Sequence, residues 1–184
     1  MKAKSNTVFI IRLAVTLLII CTVVAALLAA VNSYTAPIIA KQKEEKTRLA
    51  IEAVLPGGGE EVEFEDDTGM VTALYASDSG WAVQVTTNGF GGAIDMMVGI
   101  DKAGKVIGIS IISHVETPSL GAVAAENNAA GEAFRGQFAG LSGTLAVSKD
   151  GGTVDAISGA TITSRAVVNG VNAALQCVGK EVRS

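Results

Sequence analysis

Ala93-Ile94-Asp95-Met96-Met97-Val98-Gly99-Ile100, followed by Asp101-Lys102-Ala103-Gly104 and then by Val106-Ile107-Gly108-Ile109-Ser110-Ile111-Ile112, is the stretch around which the chain organises. Two apolar runs of strand length flank a short turn that ends in glycine, the pattern of a β-hairpin. Upstream, Trp81–Thr86 and Met70–Ala76 read as further strands, separated by the turn Asp78-Ser79-Gly80. Before the turn Asp66-Asp67-Thr68-Gly69, Val62 and Phe64 alternate with Glu61, Glu63 and Glu65, again at strand period. The spacing predicts an antiparallel meander. Downstream, His114–Gly121 contains Pro118 and Gly121 and reads as a shaped loop. Ala122–Phe138 is Ala-rich and predicts a helix, Leu145–Ser148 a short strand, and Arg165–Cys177 a packed helix. Strands in one block with helices around them define an α+β domain over 60–184, not a doubly wound parallel sheet.

The N-terminal third is different in kind. Leu13–Val31 carries no charge, and with Val8–Ile11 it reaches the roughly 20 apolar residues that cross a hydrocarbon core as a helix. Lys2, Lys4 and Arg12 precede or open it, which places the N-terminus in the cytoplasm and everything after Tyr34 outside it. A cleaved signal peptide is the rival reading, with Ala29, Ala30 and Ser33 as small residues near a cleavage point. The apolar core exceeds the length of a signal segment, which favours an uncleaved, single-pass anchor over 1–34. Thr35-Ala36-Pro37 reads as a fresh helix entry, with Pro in the first turn. Ile38–Leu55 follows as a charged amphipathic helix with Glu44 and Arg48 paired at i and i+4, and Pro56 and Gly57-Gly58-Gly59 end it. Residues 35–59 form a juxtamembrane stalk on this reading.

Composition removes several functions. Net charge is −4, which argues against nucleic acid as a partner. Of the two cysteines, Cys21 lies in the span and Cys177 in the last helix, so neither a disulfide nor an iron–sulfur cluster is expected. The lone histidine, His114, has no Cys or His neighbours to make a zinc site and reads as a hydrogen-bonded loop residue. Glu60-Glu61 and Glu65-Asp66-Asp67 read as solvated charges without calcium-ligand spacing. No metal is expected, and redox chemistry would need an organic cofactor.

Such a cofactor has a candidate seat in Asp155-Ala156-Ile157-Ser158-Gly159-Ala160-Thr161-Ile162-Thr163-Ser164. This run lies between strand-like Gly152-Thr153-Val154 and the last helix, where unpaired N–H groups collect and a phosphate can sit. The residues alone support a second reading, in which Thr163 or Ser164 caps the helix.

The run resembles the flavinylation motif of the FMN-binding domain family. Asp155, Ser158, Gly159, Ala160 and Thr161 match each fixed position of Asp-x-x-Ser/Thr-Gly-Ala-Thr. The N-terminal span, Gly89-Phe90-Gly91-Gly92, Val98-Gly99-Ile100-Asp101, His114-x-Glu116-Thr117-Pro118-x-Leu120-Gly121 and Phe134–Phe138 follow in the expected order. The resemblance covers nearly the whole chain. It points to the G-subunit family of Rnf-type ion-translocating ferredoxin:NAD oxidoreductases, with the typically longer C subunits of sodium-pumping NADH:quinone reductases, or a stand-alone extracytoplasmic flavoprotein, as alternatives.

The resemblance implies a membrane-bound electron-transfer subunit that makes no product alone and works with other membrane subunits. FMN would be joined through its phosphate to Thr161 by a separate flavin transferase that recognises Asp155, Ser158, Gly159 and Ala160. N–H groups near Thr161, Thr163 and Ser164 would face the phosphate, Ser158, Gly159 and Ala160 would also contact the cofactor, and Glu116, Thr117, Pro118 and Leu120 would line the ring slot. Trp81 and Phe90 are candidate stacking partners, with a core position on its strand the favoured reading of Trp81. Two departures stand out: Ser119 occupies a position where relatives often carry glycine, so a positive φ there would strain it, and Ala93 occupies a Pro-like position.

Overall fold

The computed structural model describes residues 2–181, with side chains described for residues 9–180. The side chains of Lys2 and Lys4, on which the expected orientation partly rests, lie outside that range. Helix α1 runs from Lys2 to Val54 without interruption. The new helix expected at Thr35-Ala36-Pro37 does not start there; Pro37 sits inside α1. Proline removes one N–H from the ladder, and a long helix loses only that bond. The hydroxyls of Ser33 and Thr35 donate back to the carbonyls of Ala30 (2.9 Å) and Val31 (3.0 Å), keeping this turn's polar groups internal. From Phe9 to Val31 the large apolar side chains are exposed around the whole helix, as an apolar solvent requires. Arg48 pairs with Glu52 (3.8 Å) rather than with Glu44, an exposed contact of small consequence.

The chain divides into two compact units with the boundary between Glu45 and Lys46. The second unit is α+β. Strands β1 (Glu60–Val62), β2 (Val71–Ser77), β3 (Gly80–Asn88), β4 (Ala93–Asp101) and β5 (Val106–His114) form one antiparallel sheet in sequence order. Helix α3, Thr161–Glu181, packs on one face. There Val83, Val85, Met96, Val98 and Ile100 meet Val167, Val168, Val171, Ala174 and Val178, with Phe134 and Phe138 closing the core. Each such side chain removed from water stabilises the fold by about 1.5–3 kcal/mol. Gly170 lets α3 approach closely, since a Cβ there would lie 2.0 Å from Met96 Cε. On the opposite face Ala50 and Val54 of the last turns of α1, with Leu55 just after it, bury Ala82, Met97 and Ile112. Coverage on both faces explains why β4 is apolar almost throughout.

Three further sequence expectations give way. The helix expected over Ala122–Phe138 splits into a 3-10 turn, Gly121–Ala125, an extended Glu126 (φ −69°, ψ 138°) and helix α2, Ala129–Gly136. Asn128 Oδ1 accepts from Gly131 N–H (2.9 Å) and caps α2. Arg135 Nη1 donates to the carbonyls of Ala124 (2.8 Å) and Glu126 (2.9 Å), which a continuous helix would have used itself. These tertiary bonds outweigh alanine's helix propensity. The strand expected over Leu145–Ser148 reduces to a single parallel bridge between Val147 and Val154. Asp66 is no plain solvated charge either. Its carboxylate accepts from the N–H and hydroxyl of Thr68 and the N–H of Val71, and Asp67 pairs with Lys180.

Candidate functional site

Three segments converge at one end of the sheet. The first is the β3–β4 loop, closed by Gly89 N–H donating to the Gly92 carbonyl (2.8 Å). The second is the loop after β5, from Val115 to Gly121, and the third is the start of α3. Between them lies a cavity of about 330 Å³ lined by Phe90, Glu116, Thr117, Leu120, Lys149 and the run Gly159–Thr163.

Glu116 ties the segments together. It is 6% exposed. Its Oε1 accepts from Gly91 N–H (2.9 Å) and its Oε2 from the Thr163 hydroxyl (2.6 Å), while its own N–H donates to His114 Nδ1 (3.2 Å). One side chain thus joins β4's leading loop, β5's trailing loop and α3. Only glycine fits beside it at two points. A Cβ on Gly89 would lie 2.1 Å from Oε1, and one on Gly121 2.3 Å from Oε2.

The start of α3 is built without an ordinary cap. Ser164 N–H bonds the Ala160 carbonyl (3.0 Å), so the N–H groups of Thr161, Ile162 and Thr163 precede the first intrahelical bond. Neither hydroxyl proposed as a cap serves as one. Thr163 donates to Glu116, and Ser164 accepts from Ile157 N–H (3.0 Å) and donates to the Ala160 carbonyl (3.0 Å), locking the preceding turn. Gly159, at φ 74°, makes that turn possible. The first-turn donors are therefore left toward the cavity, beside Thr161 Oγ1, to which Lys149 Nζ donates at 3.0 Å.

The other cavity walls are apolar and uncovered: Phe90 is 70% exposed, Ile162 51% and Leu120 43%. A flat, mostly apolar ring with an attached phosphate fits this set. Apolar faces stand at the mouth, polar groups at Glu116 and Thr117, and N–H donors and a lysine at the phosphate end. A hollow of about 380 Å³ at the far end of α3, beside Lys102–Gly104, has comparable size but no free helix-start donors.

The structure brings Thr161, Gly159, Ala160, Thr163, Glu116, Thr117 and Leu120 together around the cavity. Ser164 is buried beneath it. Pro118 does not line it, and Asp155 and Ser158 line a separate groove with Ser119, Phe134 and Ile157. Trp81 pairs with Ile100 at the other end of β3 and packs into the core, so it is no stacking partner for this site. Ser119 has φ 62°, the one positive value of a non-glycine among the described residues, which is the strain its replacement of glycine implied. Lys149 carries no signal in the sequence, because a turn after Val147 brings it back to Thr161 and no local pattern marks that return. Gly89, Gly91 and Gly121 around Glu116 were a legible signal of close packing.

A sequence model of the FMN-binding domain matches residues 89–176, the span from the β3–β4 loop through most of α3. The site and fold therefore define an FMN-binding domain behind an N-terminal apolar helix. A model of the RnfG N-terminal region matches residues 1–54. The chain is 36% identical over 182 residues to the G subunit of the proton-translocating ferredoxin:NAD(+) oxidoreductase complex of Clostridium ljungdahlii, covering 94% of this chain and 92% of that protein. It is 33% identical over 193 residues to the G subunit of the ion-translocating oxidoreductase complex of Methanosarcina acetivorans, covering 96% and 98%. The G subunit of the Na(+)-translocating ferredoxin:NAD(+) oxidoreductase complex of Acetobacterium woodii is 29% identical over 198 residues, covering 95% and 94%. The chain belongs to the RnfG family, the G subunits of ion-translocating oxidoreductase complexes. Its partners are accordingly the other subunits of such a complex, and α1 fits a single-pass anchor in a membrane assembly.

Proposed function

We propose that this chain is the extracytoplasmic electron carrier of an Rnf-type ferredoxin:NAD oxidoreductase, with FMN held covalently through its phosphate on Thr161. One arrangement carries the reading. The Thr161 hydroxyl stands at the start of α3 beside Lys149 Nζ (3.0 Å), at one end of a slot whose apolar walls, Phe90, Leu120 and Ile162, are uncovered. Bound FMN supplies one- and two-electron redox chemistry. The chain's own residues then have distinct tasks. Thr161 Oγ forms the bond to phosphorus as the donor's bond to its leaving group breaks and the hydroxyl proton departs, a net gain of one FMN less one water. N–H groups of Thr161, Ile162 and Thr163 face the phosphate. Glu116 and Thr163 hold the two loops against α3, and Thr117 and Leu120 shape the slot.

A flavin transferase performs the attachment, since an unactivated phosphate is a poor electrophile. Asp155 and Ser158 lie in their own groove, away from the slot, where that enzyme can reach them. With Arg12 opening the span, the N-terminus is cytoplasmic and the domain extracytoplasmic. There, a covalent bond prevents loss of a cofactor that is not readily replaced. Residues 1–40 contain no Asp or Glu, so ion movement belongs to partner subunits. Residues 1–34 anchor, 35–59 connect and 60–184 hold the flavin on this reading. Thr161→Ala tests it: the variant folds but loses every flavin that survives denaturation. Flavin retained through denaturation in that variant would move the attachment elsewhere.

A further inference from the structure

Lys149 stands outside the motif, yet several contacts fix it there. It belongs to a 3-10 turn, Ser148–Asp150, closed by Gly151 at φ 85°. Ser148 N–H bonds the Val154 carbonyl and Asp150 N–H the Val147 carbonyl, each at 2.8 Å. The neighbouring Asp150 carboxylate is forked by Arg165, with Nε at 2.7 Å and Nη2 at 2.6 Å. Arg165 lies one turn beyond Thr161 on the same helix, so this fork ties the Lys149 turn to the helix that carries the hydroxyl. It also occupies the carboxylate that follows Lys149 in the chain. Among the described residues Lys149 forms no ion pair, and its ammonium faces the cavity and Thr161 Oγ1.

We propose that Lys149 is the cation that binds the phosphate esterified to Thr161, and that the Asp150–Arg165 fork positions it. The inference rests on the attachment to Thr161 proposed above. A phosphodiester on Thr161 carries one negative charge over two oxygens, each bonded to the atom that Oγ1 itself bonds. The α3 start offers them only partial charges. Lys149, within hydrogen-bond distance of Oγ1, offers a full one, and a charge-assisted bond is about twice as strong as a neutral one. Lysine suits a single phosphate as a point charge.

The test uses the full-length chain produced together with a flavin transferase and extracted in detergent. Adduct formation is followed by intact mass, and the phosphorus-31 resonance of the loaded chain is recorded. Lys149→Gln is expected to load about three- to tenfold more slowly, the range left after solvent weakens a charge-assisted bond at an exposed site. Its phosphorus resonance is expected to shift, and Lys149→Arg to behave as the parent in both respects. The proposal is overturned if Lys149→Gln loads at the parent rate, or if Lys149→Arg matches Lys149→Gln. It is also overturned if loading slows with an unchanged phosphorus resonance, which would assign Lys149 to transferase docking. A parent chain with no adduct on the Thr161 peptide defeats the attachment reading first, and is distinguishable because no variant is needed to see it.

Discussion

Replacing Thr163 by valine removes one hydroxyl from the heart of the site and little else. The side chains have nearly the same volume, so no cavity opens. What is lost is the 2.6 Å bond to Glu116 Oε2, in a place where both residues are buried. Hydrogen bonds to charged groups contribute about 1.5–3 kcal/mol, and the Glu116 carboxylate keeps only its bond from Gly91 N–H. We therefore expect a loss of about 2 kcal/mol, or a melting temperature lower by roughly 6 °C for a unit of this size. Glu116→Gln should cost only about 1 kcal/mol, because the amide still accepts from Gly91 and the Thr163 hydroxyl can turn from donor to acceptor. When Thr163→Val is added to Glu116→Gln it removes a neutral bond, at about 1 kcal/mol, which leaves a coupling of about 1 kcal/mol between the two positions. Trp81, the single tryptophan and half-buried in the core, reports unfolding of the full chain in detergent by its fluorescence. A Thr163→Val variant as stable as the parent, or two costs that simply add, would refute the clasp.

Ser119→Gly should raise stability by about 0.5 kcal/mol, the left-handed strain relieved less the entropy that glycine loses; a calorimetric melt no higher than the parent's would count against the strain. For Asp66, burial raises the carboxyl pKa, but bonds from Thr68, Val71 and Met70 outweigh it and hold the pKa below its ordinary 3.8. Its stabilising contribution is therefore complete above about pH 4 and is lost as pH falls through the lower folded value. Asp66→Asn should accordingly flatten the acid limb of a stability–pH curve, and an unchanged limb would contradict this. Phe90→Ser should leave the stability within about 0.5 kcal/mol of the parent, since the ring is already 70% exposed, while altering the fluorescence anisotropy of bound flavin; an unaltered anisotropy would remove Phe90 from the slot.

Much of the fold could be read from the chain because local pattern and tertiary role agree there. The Ala93–Ile112 hairpin has a glycine turn where the register needs one, and the meander follows sequence order, so each strand's partner is its neighbour. The span is a matter of length and apolarity alone. Reading failed where a distant group decided the outcome. Arg135 takes the carbonyls of Ala124 and Glu126 and divides an Ala-rich stretch that propensity joins. Pro37 suggests a helix start because proline favours a first turn, a preference that does not register the unbroken helix around it. Within the site, the motif placed Thr161, and the loop from Glu116 to Gly121 placed the opposite wall. Lys149 and the clasp role of Glu116 depend on chain returns that no spacing encodes.

The measurement that bears most directly on the account is the intact mass of the chain purified from its own host, followed by fragmentation of the peptide containing Thr161. The account predicts a gain of one FMN less one water, located on Thr161. An unmodified Thr161 peptide, from cells that flavinylate another protein, would contradict it.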